Sequence, residues 1–391
     1  MTEASSVPPP PETVIPSDPD AAPDHHAQRL TRFAGVFRAL FLVSTILSGV
    51  LGIYFVIVLM ASASAGQSTT ERTVLATIYL LVTIASAAGC LALAVTNQTE
   101  PNLPRARRIA RYTLVLLVVA LLVAVMTRGL RAMSLIYLYQ LACLVVFQLS
   151  TDPHLDRSST FRAPWRPQAD RTHKGYIPLN FFNIFWIFLV ASVVGLFVEI
   201  VFRAITAGVY EDRAGLLWGP FSPIYGFGAV LMTVALNRFW NKSKALIFVV
   251  SGLIGSAFEF FTSYFMEKSF GIVAWDYSGT FLSIGGRTNF AFFLAWGALG
   301  LVWIKLLLPD VLKVVDAVTL HLRVALTVAA TLFMLANGVT TLVALDSWYD
   351  REAGHPPADV VQQFCAEHFD NAHMTERFQT MNLDPSRASR I

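Results

Sequence analysis

Of 391 residues, 55% are hydrophobic and 14% charged, and the mean hydropathy is +0.56. A soluble globular chain carries about 25% charged residues, so this composition excludes an ordinary water-soluble domain and implies an all-α, polytopic transmembrane helix bundle. The net charge of +3 says little until its distribution is known, and the three cysteines are too few and too scattered for a disulfide framework or a zinc site. Cys90 and Cys143 lie in apolar runs and read as small core hydrophobes.

Residues 1–30 are rich in proline and aspartate, hold no apolar run and read as a disordered cytoplasmic tail without a secretory signal. A helix needs about 20 apolar residues to cross roughly 30 Å of hydrocarbon. Windows of that length predict about nine spans, near 36–62, 73–96, 112–127, 132–150, 180–204, 221–240, 245–266, 288–307 and 324–345. The third is short, and the sixth is interrupted at its start by Gly219, Pro220 and Pro223. Residues 31–150 thus form a four-helix N-terminal membrane region and 179–345 a five-helix region. A basic cytoplasmic linker, 151–178, joins them, and a polar C-terminal tail, 346–391, follows. Pro309 to Leu322 alternates Val311, Leu312, Val315 and Val318 with Lys313 and Asp316, the pattern of an amphipathic surface helix or a simple connector.

With the N-terminus inside, eighteen Lys and Arg fall in inner segments and seven in outer loops, and the other four lie in the tail. That asymmetry favours N-in, C-out in a multi-pass protein of the cell membrane.

The first half is chemically quiet, and Tyr137, Tyr139 and Gln140 read as satisfying each other in the bundle. The second half carries two glutamates within spans, and carboxylates at membrane depth are costly enough to suggest function. Glu199 lies about 27 Å along its helix, near the outer interface, with Arg203 at i+4 as its expected ion-pair partner. Glu259 lies about 21 Å along, below the outer boundary and with no basic residue within a turn. Thr262 and Ser263 extend its face outward.

Two outer segments supply candidate partners. The Pro-rich opening of the sixth span, with Ser222 and Tyr225, directs a helix N-terminus outward, where unpaired N–H groups suit a carboxylate or anion. A Pro-capped helix whose glycines permit close packing explains it equally well. The loop with Asp276, Tyr277, Arg287 and Asn289 supplies Arg287 as the preferred counter-ion of Glu259, and its aromatics also suit an interfacial belt.

Together these residues resemble a known family, the CmpB-type ABC-transporter permeases, type IV. The resemblance rests on GPFSPIYGFGA at 219–229, Glu199 upstream, EFFTS at 259–263, WDYS at 275–278, GRTNF at 286–290 and Trp296-Gly297. It covers about 180–307. The family usually places Arg directly before the Gly that opens its RGFLxGP stretch, whereas here Ala214 precedes Gly215 and the arginine is Arg213. The resemblance implies a transporter or permease component. The chain has no GxxxxGK[ST] stretch, so an ATPase would be a separate subunit. The alternatives are a non-catalytic scaffold or partner subunit, or an outer-leaflet enzyme of envelope biogenesis. The latter is disfavoured by the lack of HExxH, GxSxG and paired intramembrane aspartates. The expected partners are the lipid bilayer, that separate ATPase subunit and a second copy of the chain. No cofactor, metal or nucleic acid is expected.

Overall fold

Each apolar run becomes a helix, because in hydrocarbon a backbone must satisfy its own hydrogen bonds. The computed structural model describes residues 25–64, 70–96, 102–151, 177, 179, 181–317 and 320–390. The expected N-terminal tail up to Asp24 and nearly all of the 151–178 linker lie outside the described residues. The first half is α1 (His25–Ser64), α2 (Thr70–Val95), α3 (Leu103–Arg128) and α4 (Ser134–Ser150). The second is α5 (Phe181–Ala207), α6 (Pro223–Leu236), α7 (Lys244–Phe270) and α8 (Phe290–Val302), then a π-helical turn (Trp303–Leu307), α9 (Leu308–Ala317) and α10 (Leu320–Glu352).

Among the described residues seven helical spans are long and apolar enough to cross a membrane, and α4 and α6 are apolar but shorter. The third span is not short. The cluster Arg105, Arg107, Arg108 and Arg111 lowers the hydropathy of its first turns, yet the helix starts at Leu103, and Gln148 of α4 donates to the Arg107 carbonyl (2.8 Å). The sixth is shorter than expected, at 14 residues, because 221–222 stays non-helical before Pro223 and 237–240 form turns after Leu236. The Pro309–Leu322 segment is helical from its start, and residues 318–319 lie outside the described residues. α9 continues from α8 through the π turn, with Leu308 and Leu312 buried against Ile177, Ile187 and Trp303.

The 346–391 segment is folded rather than a simple tail. After α10 come α11 (Val360–His368), α12 (Asn371–Arg377), β2 (Asn382–Leu383) and a short 3-10 turn (Pro385–Arg387). β2 pairs antiparallel with β1 (Ile272–Val273), which follows α7, with Ile272 opposite Leu383. This cap shares a core with the membrane helices, in which Trp348, Cys365, Phe369, Met374 and Phe378 meet Val125, Leu217 and Phe270. Arg390 pins it, pairing with Asp346 (2.6 Å) and Asp350 (3.6 Å) on α10, all three side chains being buried. The Asp346 carboxylate also accepts from the Leu130 amide (3.0 Å), and Arg72 donates to the Arg390 carbonyl (3.0 Å). The cap therefore ties both halves at one end of the bundle, where the loops expected outside also gather.

All three cysteines are buried and free, as two of them were read. Tyr137 and Gln140 are satisfied by neighbouring helices rather than by each other. The Tyr137 hydroxyl meets that of Tyr79, and Gln140 donates to the Ser44 carbonyl (2.8 Å) and the Ser48 hydroxyl (2.9 Å). The Tyr139 hydroxyl reaches the Leu40 carbonyl (3.4 Å).

Candidate functional site

Glycines let the second-half helices approach closely enough to hold polar groups between them. Gly195 and Gly226 bring α5 and α6 together, where a Cβ would overlap the Tyr225 ring or the Ser192 hydroxyl. Gly252 and Gly255 on α7 receive Phe293 and Trp296 of α8 in the same way. This fits the close-packing account of the glycines after Pro223. Ser222 stands at the N-cap position of α6 without a side-chain capping bond, and its buried amide donates to the Ser192 carbonyl (3.0 Å). The α6 group that meets a carboxylate is the Tyr225 side chain, not the helix N-terminus.

Glu199 is therefore not paired with Arg203, the i+4 neighbour. Arg203 turns to Glu211 (3.7 Å), and Glu199 forms a close ion pair with Arg213 while accepting from the Tyr225 hydroxyl (2.5 Å). The loop between α5 and α6 folds back over the end of α5, which places Arg213 closer than any helical neighbour. Burial disfavours charge on Arg213, but Glu199 and Glu211 outweigh it and raise its pKa above the ordinary value.

The backbone of that loop is fixed from two sides. On α10, the buried Asn337 donates to the Trp218 carbonyl (2.7 Å) and accepts from its amide (3.2 Å), and Thr341 accepts from the Leu217 amide (3.0 Å). From the cap, Arg377 donates to the Leu216 and Gly219 carbonyls (2.6 and 2.7 Å) and pairs with Asp212 (2.6 Å). Sequence reasoning missed Arg213, Asn337 and Arg377. An asparagine inside an apolar span was the one available signal, because a lone polar group there needs a partner.

Glu259, on α7, is 5% exposed. Its carboxylate accepts from the Thr288 hydroxyl (2.9 Å) and the Tyr277 hydroxyl (3.0 Å), and the Trp296 side chain also reaches it. Among the described residues it has no cationic partner. The expected counter-ion, Arg287, instead pairs with Glu267 (2.6 Å), two turns further out on α7, donates to Ser263 (3.2 Å) and lies over the Tyr264 ring. The i+8 glutamate wins because the 274–289 loop runs alongside α7 with Thr288 at the level of Glu259, which leaves the long arginine side chain to point outward.

The remaining candidates divide by role. Asp276 is exposed and caps the Ser278 amide (2.8 Å), and those hydrogen bonds hold its pKa below the ordinary carboxylate value. Asn289 caps α8 through Phe292 (2.9 Å) and donates to Thr280 (2.8 Å). Thr262 is half-buried on α7 and contacts neither carboxylate. The contacts thus define two groups, Arg213–Glu199–Tyr225 and Tyr277–Glu259–Thr288.

A comparison with curated proteins and with solved structures finds no match. A family model does match, from α5 into α10, and leaves the first four helices and the C-terminal cap outside. The fold is that of a multi-pass membrane protein, and its residues 186–342 match the family described as Putative ABC-transporter type IV, the one that the ordered motifs resemble.

Proposed function

We propose that the chain is a transport component in which Glu259 binds a proton, a cation or the basic group of a solute near the outer face of the membrane. The observation that carries this reading is a buried carboxylate held by neutral hydroxyls, with no cationic partner among the described residues. An uncompensated charge at that depth is unstable, so the site favours either a proton or a cationic visitor. Hydroxyls suit both states, since each donates to a carboxylate and accepts from a carboxylic acid. Glu199 is already neutralised by Arg213 and, in this account, shapes the field rather than binding the solute. The match at residues 186–342 supports a role in transport, with any ATPase supplied by a separate subunit.

The test is ion entry into proteoliposomes containing the purified chain, read with internal pH- and cation-sensitive dyes. Glu259→Gln keeps the shape and removes the charge. Entry by the wild-type protein that is lost in the variant, with an unchanged unfolding temperature, is the expected result. Equal entry by both proteins, or none by the wild type, overturns the proposal.

A scaffold role is the second reading, favoured by the hydrogen bonds that both Glu259 oxygens already make. It predicts the reverse pattern, in which Glu259→Gln lowers the unfolding temperature and leaves entry unchanged.

A further inference from the structure

Both hydroxyls that hold Glu259 belong to one loop, 274–289, and its tip is unexpectedly apolar. Phe281, Leu282 and Ile284 are 72, 63 and 61% exposed. Side by side at the end of a bundle, they are a liability in water. Leu282 also holds a left-handed backbone conformation (φ 51°), which a branched side chain adopts at a cost.

The depth of this tip explains it. Counted from Lys244 at the inner end of α7, 20 helical residues cover about 30 Å of hydrocarbon and end near Tyr264. The loop does not stay above that level. It leaves α7 at Phe270, returns alongside the helix, sets Gly285 against the Phe260 ring and delivers Thr288 to Glu259. The Phe281 ring packs on Phe290 (5.7 Å), the first residue of the apolar span that includes α8. Phe281 and its neighbours therefore lie at the depth of Phe260 and Phe290, inside the outer hydrocarbon boundary and continuous with the lipid-facing surface of α8.

The backbone agrees with that placement. Chain at membrane depth must satisfy its own polar groups. Here the Tyr277 amide donates to Gly286 (2.7 Å), Ile284 to Thr288 (2.9 Å), Arg287 to Ile284 (3.1 Å) and Phe290 to Phe281 (3.3 Å).

We propose that the tip of this loop, Phe281, Leu282 and Ile284, is seated in the outer lipid leaflet. Its partner is the acyl-chain region of the bilayer. That anchorage holds Tyr277 and Thr288 on Glu259, so the packing of the outer leaflet controls how firmly the carboxylate is enclosed. The seat itself is independent of what Glu259 does; the control over Glu259 rests on the proposed carboxylate site.

The experiment is spin-label depth measurement in proteoliposomes of the full chain. Leu282→Cys is compared with Leu332→Cys, lipid-facing on α10, and Val360→Cys, exposed on the cap. The three native cysteines are buried, and the unmodified chain gives the background. A nitroxide at 282 that meets oxygen as Leu332→Cys does, shielded from a water-soluble nickel complex, is the expected result. Nickel access equal to that of Val360→Cys overturns the seat. A second arm uses Phe281→Asp with Leu282→Asp and follows modification of Glu259 by a hydrophobic carbodiimide. The rate is expected to rise about fivefold, the population change equivalent to one lost hydrogen bond. An unchanged rate overturns the control over Glu259 while leaving the depth result standing, so the two failures are distinguishable.

Discussion

The first four helices and those that follow both bury polar side chains, but of different kinds. In α1–α4 the buried groups are neutral. Ser44, Ser86, Thr113 and Thr127 bond back to their own helices, and the larger groups bond across helix pairs, as Tyr79 does to Tyr137 and Gln140 to Ser48. The cation at their outer end, Arg128, lies over the Tyr54, Phe55 and Tyr79 rings and donates to the Tyr79 hydroxyl (3.1 Å). In α5–α10 the buried groups include carboxylates, and glycine faces let aromatic and hydroxyl side chains close around them. Neutral pairs need little beyond local geometry. A buried carboxylate needs a surrounding structure that holds its donors in place. The first half is thus built as a support and the second as an enclosure.

Perturbing each feature in turn sharpens that contrast. The largest effect is expected from Arg390→Ala, which strands Asp346 and Asp350 under the cap. Removing one member of a buried ion pair costs about 3–5 kcal/mol, seen as an early loss of the cap in thermal unfolding. Unfolding as late as in the wild-type protein would show the cap to be held by its apolar core alone. Gly255→Ala comes next, because its Cβ would overlap Trp296. Overpacking of the α7–α8 contact is expected to cost about 1–3 kcal/mol, whereas the same change at Gly35, whose Cβ would meet nothing, should be neutral. Gln140→Leu, in the first half, removes a neutral donor and is expected to cost about 1 kcal/mol in unfolding without altering ion entry. A change in ion entry would place function in the half read as support. The smallest effect belongs to Arg203→Ala, whose half-exposed pair with Glu211 is worth at most about 1 kcal/mol and less in high salt.

Much of the fold was legible because hydrocarbon imposes one rule on every span. Apolar length alone located the membrane helices. The site was legible in its members but not in its pairings. Glu199 and Glu259 stood out as carboxylates within spans, and Tyr225 and Tyr277 as members of two outer segments. Their partners depended on loops that fold back along helices, which spacing along a helix cannot reveal. So Arg203 was assigned its i+4 neighbour Glu199 and Arg287 the deeper Glu259, while Arg213 and the hydroxyls of Tyr277 and Thr288 hold those positions. The cap was illegible for a related reason. Its core is made jointly with Phe270, Leu217 and Val125, so its own sequence shows too few apolar residues to announce a fold.

The most direct test of the enclosed, exchangeable carboxylate is carbodiimide labelling of native membranes, read by mass spectrometry at each glutamate. A hydrophobic carbodiimide reaches carboxyls from the lipid phase and reacts with those that carry a proton. The account predicts labelling at Glu259, its loss in Glu259→Gln, and protection of Glu199, which is ion-paired with Arg213. Labelling of Glu199 with Glu259 untouched would contradict it.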